Sequence, residues 1–242
     1  MGFALQKVNT KLNIFAIHGF LGKSSDWDQF KKYLPDNFNL IALDLFSANE
    51  SNFNFSSFEI LTEQIFQESQ KYNGPKVIIG YSLGGRIALH LLQKYSKHFE
   101  KFIFLSTHAG LESETEILSR KKNDYDWSLK LDTMEWIDFL KLWNAQPVFK
   151  GSTEPRRIES QFDKDKLSQA LVNLSLSEQK NMNEVILQNK NKIVWVVGSL
   201  DQKFLNLAEE LKQKKILENY SRILCSHRIL FEKPDEIVNL LK

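Results

Sequence analysis

Residues 76–86 read KVIIGYSLGGR, and the interpretation of the chain starts from them. An apolar, β-branched run at 77–79 leads into the pattern G-x-S-x-G at 80–84 and then into an amphipathic segment. A nucleophilic serine needs a sharp strand-to-helix turn with strained backbone geometry and an exposed hydroxyl. Side chains two positions before and after it would clash across that turn, which favours glycine at both. The pattern predicts a strand, a nucleophilic Ser82 and a helix; the alternative is a glycine-rich helix N-terminus without chemistry.

The alternation of a short apolar run with an amphipathic segment recurs along the chain. The runs are rich in β-branched and aromatic residues and mostly lack strict alternation, which is typical of strands buried on both faces of a parallel sheet. The expected strands are 12–17, 38–43, 76–79, 101–105, 193–197 and 221–224, and the expected helices are about 25–33, 58–71, 83–95, 205–213 and 234–241. This order predicts an α/β fold with a mostly parallel central sheet flanked by helices.

Residues 110–189 interrupt the alternation, because they contain no convincing buried strand. Aromatic side chains recur there near helical spacing, among them Trp127, Trp136 and Trp143. We expect an inserted helical cap over the carboxyl edge of the sheet, where ligands of open α/β sheets bind. Residues 1–109 and 190–242 would form the core, and residues 110–189 the cap. The alternative is a set of packing helices with no part in the site.

A nucleophilic serine needs a histidine base, and the base needs an acid that orients it. Asp201 follows the predicted strand 193–197 and His227 follows the strand 221–224, so both are expected on the sheet edge that carries Ser82. An oxyanion also needs two backbone N–H donors. Leu83, directly after the serine, and Phe20, in the loop after the first strand, are the candidates.

The remaining histidines are weaker candidates for the base. His18 fits a structural role next to Gly19 in the loop after the first strand. His90 and His98 lie on or just past the helix after Ser82 and are predicted to be surface residues. His108 fits either a ligand contact or solvent.

Composition excludes several classes of protein. The 242 residues carry 32 Lys+Arg and 30 Asp+Glu, and this net charge of +2 is too small to indicate nucleic acid or an anionic membrane. The single Cys225 excludes an internal disulfide and a cysteine-rich zinc site, and no metal site is predicted. No apolar run approaches the roughly 18 residues of a membrane span, and residues 1–11 lack the features of a signal peptide. We therefore expect a cytoplasmic protein.

Several motifs together resemble a known family. They are HGFLG at 18–22 with Asp26-Trp27, GYSLGGR at 80–86 and LDQKF at 200–204. The chain resembles the α/β-hydrolase-fold proteins and, among them, the 2-succinyl-6-hydroxy-2,4-cyclohexadiene-1-carboxylate synthases of menaquinone biosynthesis. The resemblance covers nearly the whole chain. G-x-S-x-G is generic to the fold, whereas Arg86 after the double glycine and the run Asp201-x-Lys203-Phe204 are much more specific.

The resemblance implies a lyase reaction without a metal or organic cofactor. The family eliminates pyruvate from 2-succinyl-5-enolpyruvyl-6-hydroxy-3-cyclohexene-1-carboxylate. Ser82, coupled to His227 and Asp201, would remove the proton α to the succinyl ketone. The N–H groups of Phe20 and Leu83 would hold the developing oxyanion.

The implied partner is a small-molecule carboxylate, so the pocket needs cations. Arg86 lies near the N-terminus of the helix behind the serine, where anions are favoured, and its planar fork suits a carboxylate. Arg120 matches a family arginine position. Tyr81 and Trp27 would line the pocket, with core packing as the alternative for Trp27.

Some positions depart from the family pattern. The arginines closest to a second cap position of the family are Arg156 and Arg157, but the alignment points to Glu159 instead. The histidine loop reads CSHR at 225–228, where a glycine and an asparagine usually flank the histidine.

Two other functions stay open. One is a hydrolase of esters, thioesters or C–C bonds that uses Ser82 as an acyl nucleophile. The other is a non-catalytic binding protein of the same fold, which the complete set of triad candidates argues against. The sequence does not predict the oligomeric state.

Overall fold

A six-stranded parallel sheet is the centre of the molecule. The computed structural model describes residues 11–49 and 51–241, and the strands in them pair in the order β2-β1-β3-β4-β5-β6. The strands are β1 (Leu12–Ile17), β2 (Phe38–Leu43), β3 (Lys76–Tyr81), β4 (Lys101–Leu105), β5 (Ile193–Gly198) and β6 (Ser221–Ile223). The predicted fold class is confirmed.

The signal-peptide prediction rests on residues 1–11 and, apart from Lys11, lies outside the described residues. None of the helices built from the described residues is long and apolar enough to cross a bilayer.

The inner strands are buried on both faces. Phe15 and Ile17 of β1 belong to one apolar cluster, while Ile14 and Ala16 belong to the cluster on the other face, and all four are fully buried. Because successive side chains of a strand point to opposite faces, such a strand needs apolar residues at every position. This explains why the apolar runs of the sequence do not alternate.

Helices cover both faces of the sheet. They are α1 (Asp28–Tyr33), α2 (Phe58–Gln70), α3 (Leu83–Tyr95), α8 (Gln202–Gln213), α9 (Ile229–Glu232) and α10 (Pro234–Asn239), with four more helices between β4 and β5. α8 begins three residues before its predicted start. The reason is Asp201, whose carboxylate accepts the Phe204 N–H at 3.4 Å and caps the helix.

The segment between β4 and β5 is helical. It contains α4 (Glu114–Thr133), α5 (Trp136–Asn144), α6 (Lys164–Asn173) and α7 (Asn183–Gln188). Leu131, Phe139 and Leu167 bury their side chains in the cluster that includes Phe15, so these helices share a core with the sheet. The division into a core and a cap domain stays a prediction, but we use "cap" below for residues 110–189.

Candidate active site

Ser82 occupies the sharp turn between β3 and α3. Its backbone angles are φ 52° and ψ −110°, a conformation that a residue with a side chain rarely adopts. A Cβ at Gly80 would collide with the Gly84 carbonyl group, and a Cβ at Gly84 would collide with the backbone oxygens of Ile17 and His18. The glycines of the motif are therefore required by close approach of the backbone. The strain at Ser82 holds its hydroxyl clear of the helix.

Three predicted side chains meet at the carboxyl edge of the sheet. His227 Nε2 lies 3.2 Å from Ser82 Oγ, and His227 Nδ1 lies 2.6 Å from Asp201 Oδ2. His227 is 3% exposed and Asp201 is 5% exposed, so water hardly competes for their hydrogen bond. The carboxylate can only accept, so Nδ1 carries a hydrogen, and Nε2 faces the serine. This arrangement can take a proton from Ser82.

The two predicted oxyanion donors border the same cavity as Ser82. Leu83 is the first residue of α3, and Phe20 lies in the loop after β1. Among the described residues, no acceptor pairs with the N–H of either residue. Both groups are therefore available to an oxygen bound beside Ser82.

His18 holds the loop that carries Phe20. Its Nε2 accepts the Leu45 N–H at 3.0 Å, and its Nδ1 donates to the Gly19 carbonyl at 2.8 Å. Burial lowers the pKa of His18, which keeps the ring in the neutral form that this pair of bonds requires. A Cβ at Gly22 would lie 2.6 Å from His18 Nδ1, so glycine is needed there as well. The role of His18 is structural, as the sequence indicated.

A cavity of about 350 Å³ opens next to Ser82 between the core and the cap. It contains three cationic side chains, and one buried carboxylate, Asp124, faces them. The cations are Arg86, Arg120 and Lys203. The cavity therefore carries more positive than negative charge, since Asp201 is already paired with His227. Such a cavity suits a ligand with more than one carboxylate.

The cations differ in how they are held. Arg120 Nε donates to Asp124 Oδ2 at 2.7 Å, which leaves its two terminal nitrogens for a ligand. Arg86 Nη1 donates to the Leu174 carbonyl of the cap at 2.8 Å. Burial and the neighbouring Arg120 lower the pKa of Arg86 to about 9, so it stays charged at neutral pH. Burial and Arg120 also lower the pKa of Lys203. These mutual effects indicate cations crowded together without enough counter-charge.

His108 also belongs to this cavity, so of its two sequence interpretations the structure favours the ligand contact. Its Nδ1 accepts the Gly110 N–H at 3.1 Å, which leaves Nε2–H as a donor. Burial and the cations Lys203, Arg86 and Arg120 lower the pKa of His108 to about 3, so the ring is neutral.

The structure corrects two expectations from the sequence. Trp27 is fully buried and packs edge to face on Phe30, 5.5 Å between ring centres, in the apolar cluster under β1; it does not border the cavity. The large apolar ring gains more from the core than from a polar cavity. His90 is half-buried and not fully exposed: its ring stacks on Phe58 at 4.2 Å, and burial lowers its pKa to about 3. His98 is exposed, as predicted.

Tyr81 borders a second, smaller chamber that shares Ser82, Phe20, Trp143 and Phe149 with the main cavity. Sequence reasoning gave no role to Asp124, Asp26 or Arg228. Asp124 lies four residues after Arg120, and a charged pair at that helical spacing was the signal that could have found it. Within residues 11–49 and 51–241, no cluster of three or more His, Cys, Asp or Glu side chains is arranged to hold a metal.

Arg157 of the cap forms an ion pair with Asp26 of the core. Its Nη1 and Nη2 donate to Oδ1 and Oδ2 of Asp26, both at 2.8 Å. The two side chains are 7% and 5% exposed. Arg157 is therefore not free to supply the second cap arginine of the family pattern.

The chain is similar to proteins of a known family. Residues 13–135 match the family model described as alpha/beta hydrolase fold. The chain is 32% identical over 211 residues to a Haemophilus influenzae protein provisionally named 2-succinyl-6-hydroxy-2,4-cyclohexadiene-1-carboxylate synthase, with 82% of this chain and 85% of the relative covered. It is 28% identical to the Enterobacter sp. 2-succinyl-6-hydroxy-2,4-cyclohexadiene-1-carboxylate synthase, with 84% and 81% covered.

Solved structures support the same fold. MenH from S. aureus superimposes with a TM-score of 0.85 at 23% identity, over 97% of this chain and 93% of that one. A thermophilic esterase from Thermogutta terrifontis superimposes with a TM-score of 0.74 at 17% identity, over 96% of this chain and 88% of that one. The fold is therefore shared by a protein named MenH and by an esterase, so the fold alone does not decide which reaction takes place.

Proposed function

Because the chain belongs to the α/β-hydrolase fold family and, within it, to the 2-succinyl-6-hydroxy-2,4-cyclohexadiene-1-carboxylate synthases, we propose that it is a lyase of menaquinone biosynthesis. Its substrate would be 2-succinyl-5-enolpyruvyl-6-hydroxy-3-cyclohexene-1-carboxylate, and its products the cyclohexadiene and pyruvate. The observation that carries this proposal is the contact of the Ser82–His227–Asp201 array with a cavity that has surplus positive charge. A neutral ester would leave the cations that border this cavity without a partner.

The triad acts as a base in this proposal. His227 Nε2 withdraws the Ser82 hydroxyl proton, and Asp201 stabilises the imidazolium that forms. Ser82 Oγ then takes the proton α to the succinyl ketone, which becomes an enolate. The N–H groups of Phe20 and Leu83 donate to the enolate oxygen, where charge develops.

The elimination completes without a further reactant. The enolate then reverts to the ketone, and its electron pair shifts through the double bond of the ring. As a result, the C–O bond to the enolpyruvyl group breaks. The electron pair of that bond leaves with the enolpyruvate, which takes up a proton at its methylene carbon and becomes pyruvate. One proton is removed and one is added, so neither water nor a cofactor is consumed.

The cations of the main cavity would bind the carboxylates that do not react. Arg86 and Lys203 have no carboxylate partner among the described residues, and Arg120 keeps two nitrogens free beside Asp124. Charge-assisted hydrogen bonds of this kind are about twice as strong as neutral ones. We further propose that the reaction takes place in the cytoplasm, which agrees with a single, unpaired Cys225.

The test compares two activities of one preparation. We expect pyruvate release from the enolpyruvyl substrate, measured with a lactate dehydrogenase coupled assay, at a kcat/KM far above that for neutral p-nitrophenyl esters. Ser82→Ala is the control for both activities. Efficient hydrolysis of neutral esters without pyruvate release would contradict the proposal and favour the hydrolase alternative.

A further inference from the structure

The smaller chamber next to Ser82 has its own charge. It measures about 60 Å³, and Tyr81, Arg228, Phe231 and the Asp26–Arg157 pair border it. A water molecule needs roughly 10–15 Å³ on this measure, so the chamber has room for a small polar group. Since Ser82, Phe20, Trp143 and Phe149 also border the main cavity, a single ligand could extend into both.

The chamber contains one cation that is not neutralised. Asp26 and Arg157 pair with each other through two hydrogen bonds. Arg228 is 4% exposed, and its bonds go to neutral acceptors: Nη1 donates to the Thr153 carbonyl at 2.9 Å and Nη2 to Asn144 Oδ1 at 2.5 Å.

No carboxylate of the described residues forms a salt bridge with Arg228. Its neighbours Glu154 and Glu232 act on it only at longer range, and Glu232 already accepts hydrogen bonds from Ser226. A buried guanidinium without a counter-ion is unfavourable unless a ligand supplies the charge. The guanidinium has five N–H groups, so three remain for such a ligand.

Tyr81 adds a second unsatisfied donor. Its side chain is 7% exposed, and its hydroxyl has no hydrogen-bond partner within residues 11–49 and 51–241. Burial raises the pKa of Tyr81, so the hydroxyl keeps its proton and can donate. Arg228 exerts the largest charge effect on this hydroxyl, which indicates that the two groups are close to each other.

We propose that the small chamber is a subsite for the carboxylate of the enolpyruvyl arm, which Arg228 and the Tyr81 hydroxyl bind before and after the C–O bond breaks. This inference rests on the proposed function, because that reaction supplies the arm. Binding the leaving group here keeps it next to Ser82, while the main cavity holds the rest of the substrate.

Binding of pyruvate itself tests the subsite and does not depend on turnover. We expect ligand-observed NMR to detect pyruvate binding to the wild-type protein, and Arg228→Gln to weaken it by about ten- to a hundred-fold, the range for a hydrogen bond between charged groups. Tyr81→Phe should weaken it by several-fold. Methyl pyruvate, which lacks the charge, should not bind measurably.

Two controls separate the subsite from other roles of Arg228. Asn144 borders the chamber and accepts a hydrogen bond from Arg228, so Asn144→Ala keeps the cation and should lower pyruvate affinity by less than Arg228→Gln does. Arg222→Gln removes an exposed arginine and should have no effect. If Asn144→Ala and Arg228→Lys both weaken binding as much as Arg228→Gln, then the charge of Arg228 does not bind the ligand, and the subsite is wrong.

Further outcomes distinguish the subsite from the main cavity and from the proposed function. If Arg86→Gln abolishes pyruvate binding and Arg228→Gln does not, then pyruvate binds in the main cavity and the inference is overturned. Arg228→Lys retains a charge and should restore part of the affinity, which guards against a folding defect in Arg228→Gln. Pyruvate binding that depends on Arg228, in a protein that releases no pyruvate from the substrate, would support the subsite and contradict the proposed function.

Discussion

Ser82 is the residue on which the proposed chemistry depends. Ser82→Ala and His227→Ala should each lower kcat for pyruvate release by several orders of magnitude, because the base is then lost. Asp201→Asn should also cost heavily, since an amide can stabilise the wrong tautomer of His227. Steady-state kinetics on variants with unchanged circular dichroism will check this. Wild-type turnover by Ser82→Ala would rule out the assignment.

Arg86 is the residue that tests the charge of the main cavity. Arg86→Ala should lower kcat/KM for the polycarboxylate substrate by about ten- to a hundred-fold, the effect of a lost hydrogen bond to a charged group. Arg86→Lys should recover only part of the lost kcat/KM, because the ammonium group of lysine cannot donate the paired hydrogen bonds of a planar guanidinium. Hydrolysis of a small neutral ester should change far less.

The control for Arg86 lies on the surface. Arg222→Ala removes an exposed arginine and should leave both activities unchanged. Arg86 also donates to the Leu174 carbonyl, so a structural role must be separated from a binding role. Equal losses on charged and neutral substrates would mean that Arg86 only supports the cap.

The surroundings of Trp27 and of Arg228 could not be predicted from the sequence. An aromatic residue five positions past the loop 18–22 fits a pocket wall and a core equally well in sequence, and only its packing against Phe30 decides between them. Arg228 follows His227 directly, yet its partners Thr153 and Asn144 lie more than seventy positions away in the chain. Such contacts depend on how the cap packs against the core, which the local sequence pattern does not specify.

The Asp26–Arg157 ion pair connects the cap to the segment directly before α1. Asp26→Asn should destabilise the protein by about 3–5 kcal/mol, because it leaves a buried guanidinium without its counter-ion. Urea unfolding will measure the change. Hydrogen exchange should show faster exchange around residues 151–158 than in the wild type.

An exposed ion pair provides the comparison. Lys121 and Glu178 lie 3.2 Å apart with side chains 66% and 42% exposed, so Glu178→Gln should cost no more than about 1 kcal/mol. A cost for Asp26→Asn as small as this would mean that water reaches Arg157 and that the pair does not hold the cap.

The stability of the whole molecule should depend on pH, because three histidines that are buried or half-buried have lowered pKa values. Burial lowers the pKa of His18, His90 and His108, the last two to about 3, whereas an unfolded histidine titrates near 6.5. Between these values the unfolded state binds more protons than the folded state. The free energy of unfolding should therefore fall as the pH falls from about 6.5 towards 3, by at most about 1.4 kcal/mol per pH unit for each histidine.

His90 provides the test, because it lies on α3 outside the cavity of Ser82. Urea unfolding between pH 6.5 and 5 should show a smaller loss of stability in His90→Gln than in the wild type. His98→Gln changes an exposed histidine and is the matched control. An identical pH dependence in the wild type and in His90→Gln would contradict this explanation.

The sequence predicts the fold of the whole molecule well, since buried parallel strands have a continuous apolar pattern and the glycines of the turn at Ser82 have a steric cause. It also places Ser82, Asp201 and His227 at strand ends that the sheet brings together. The cap is less predictable: its helices have apolar spacing, but which of its arginines faces the cavity depends on tertiary contacts. Arg120 does, whereas Arg157 turns to Asp26.

The most direct test of the central claim is the mass balance of the reaction with the enolpyruvyl substrate. Mass spectrometry of the products will show whether water has been added. An elimination by the Ser82–His227–Asp201 base predicts pyruvate and a cyclohexadiene whose masses together equal the mass of the substrate, with neither product formed by Ser82→Ala. Products that together exceed the substrate by one water would contradict the lyase and favour a hydrolase.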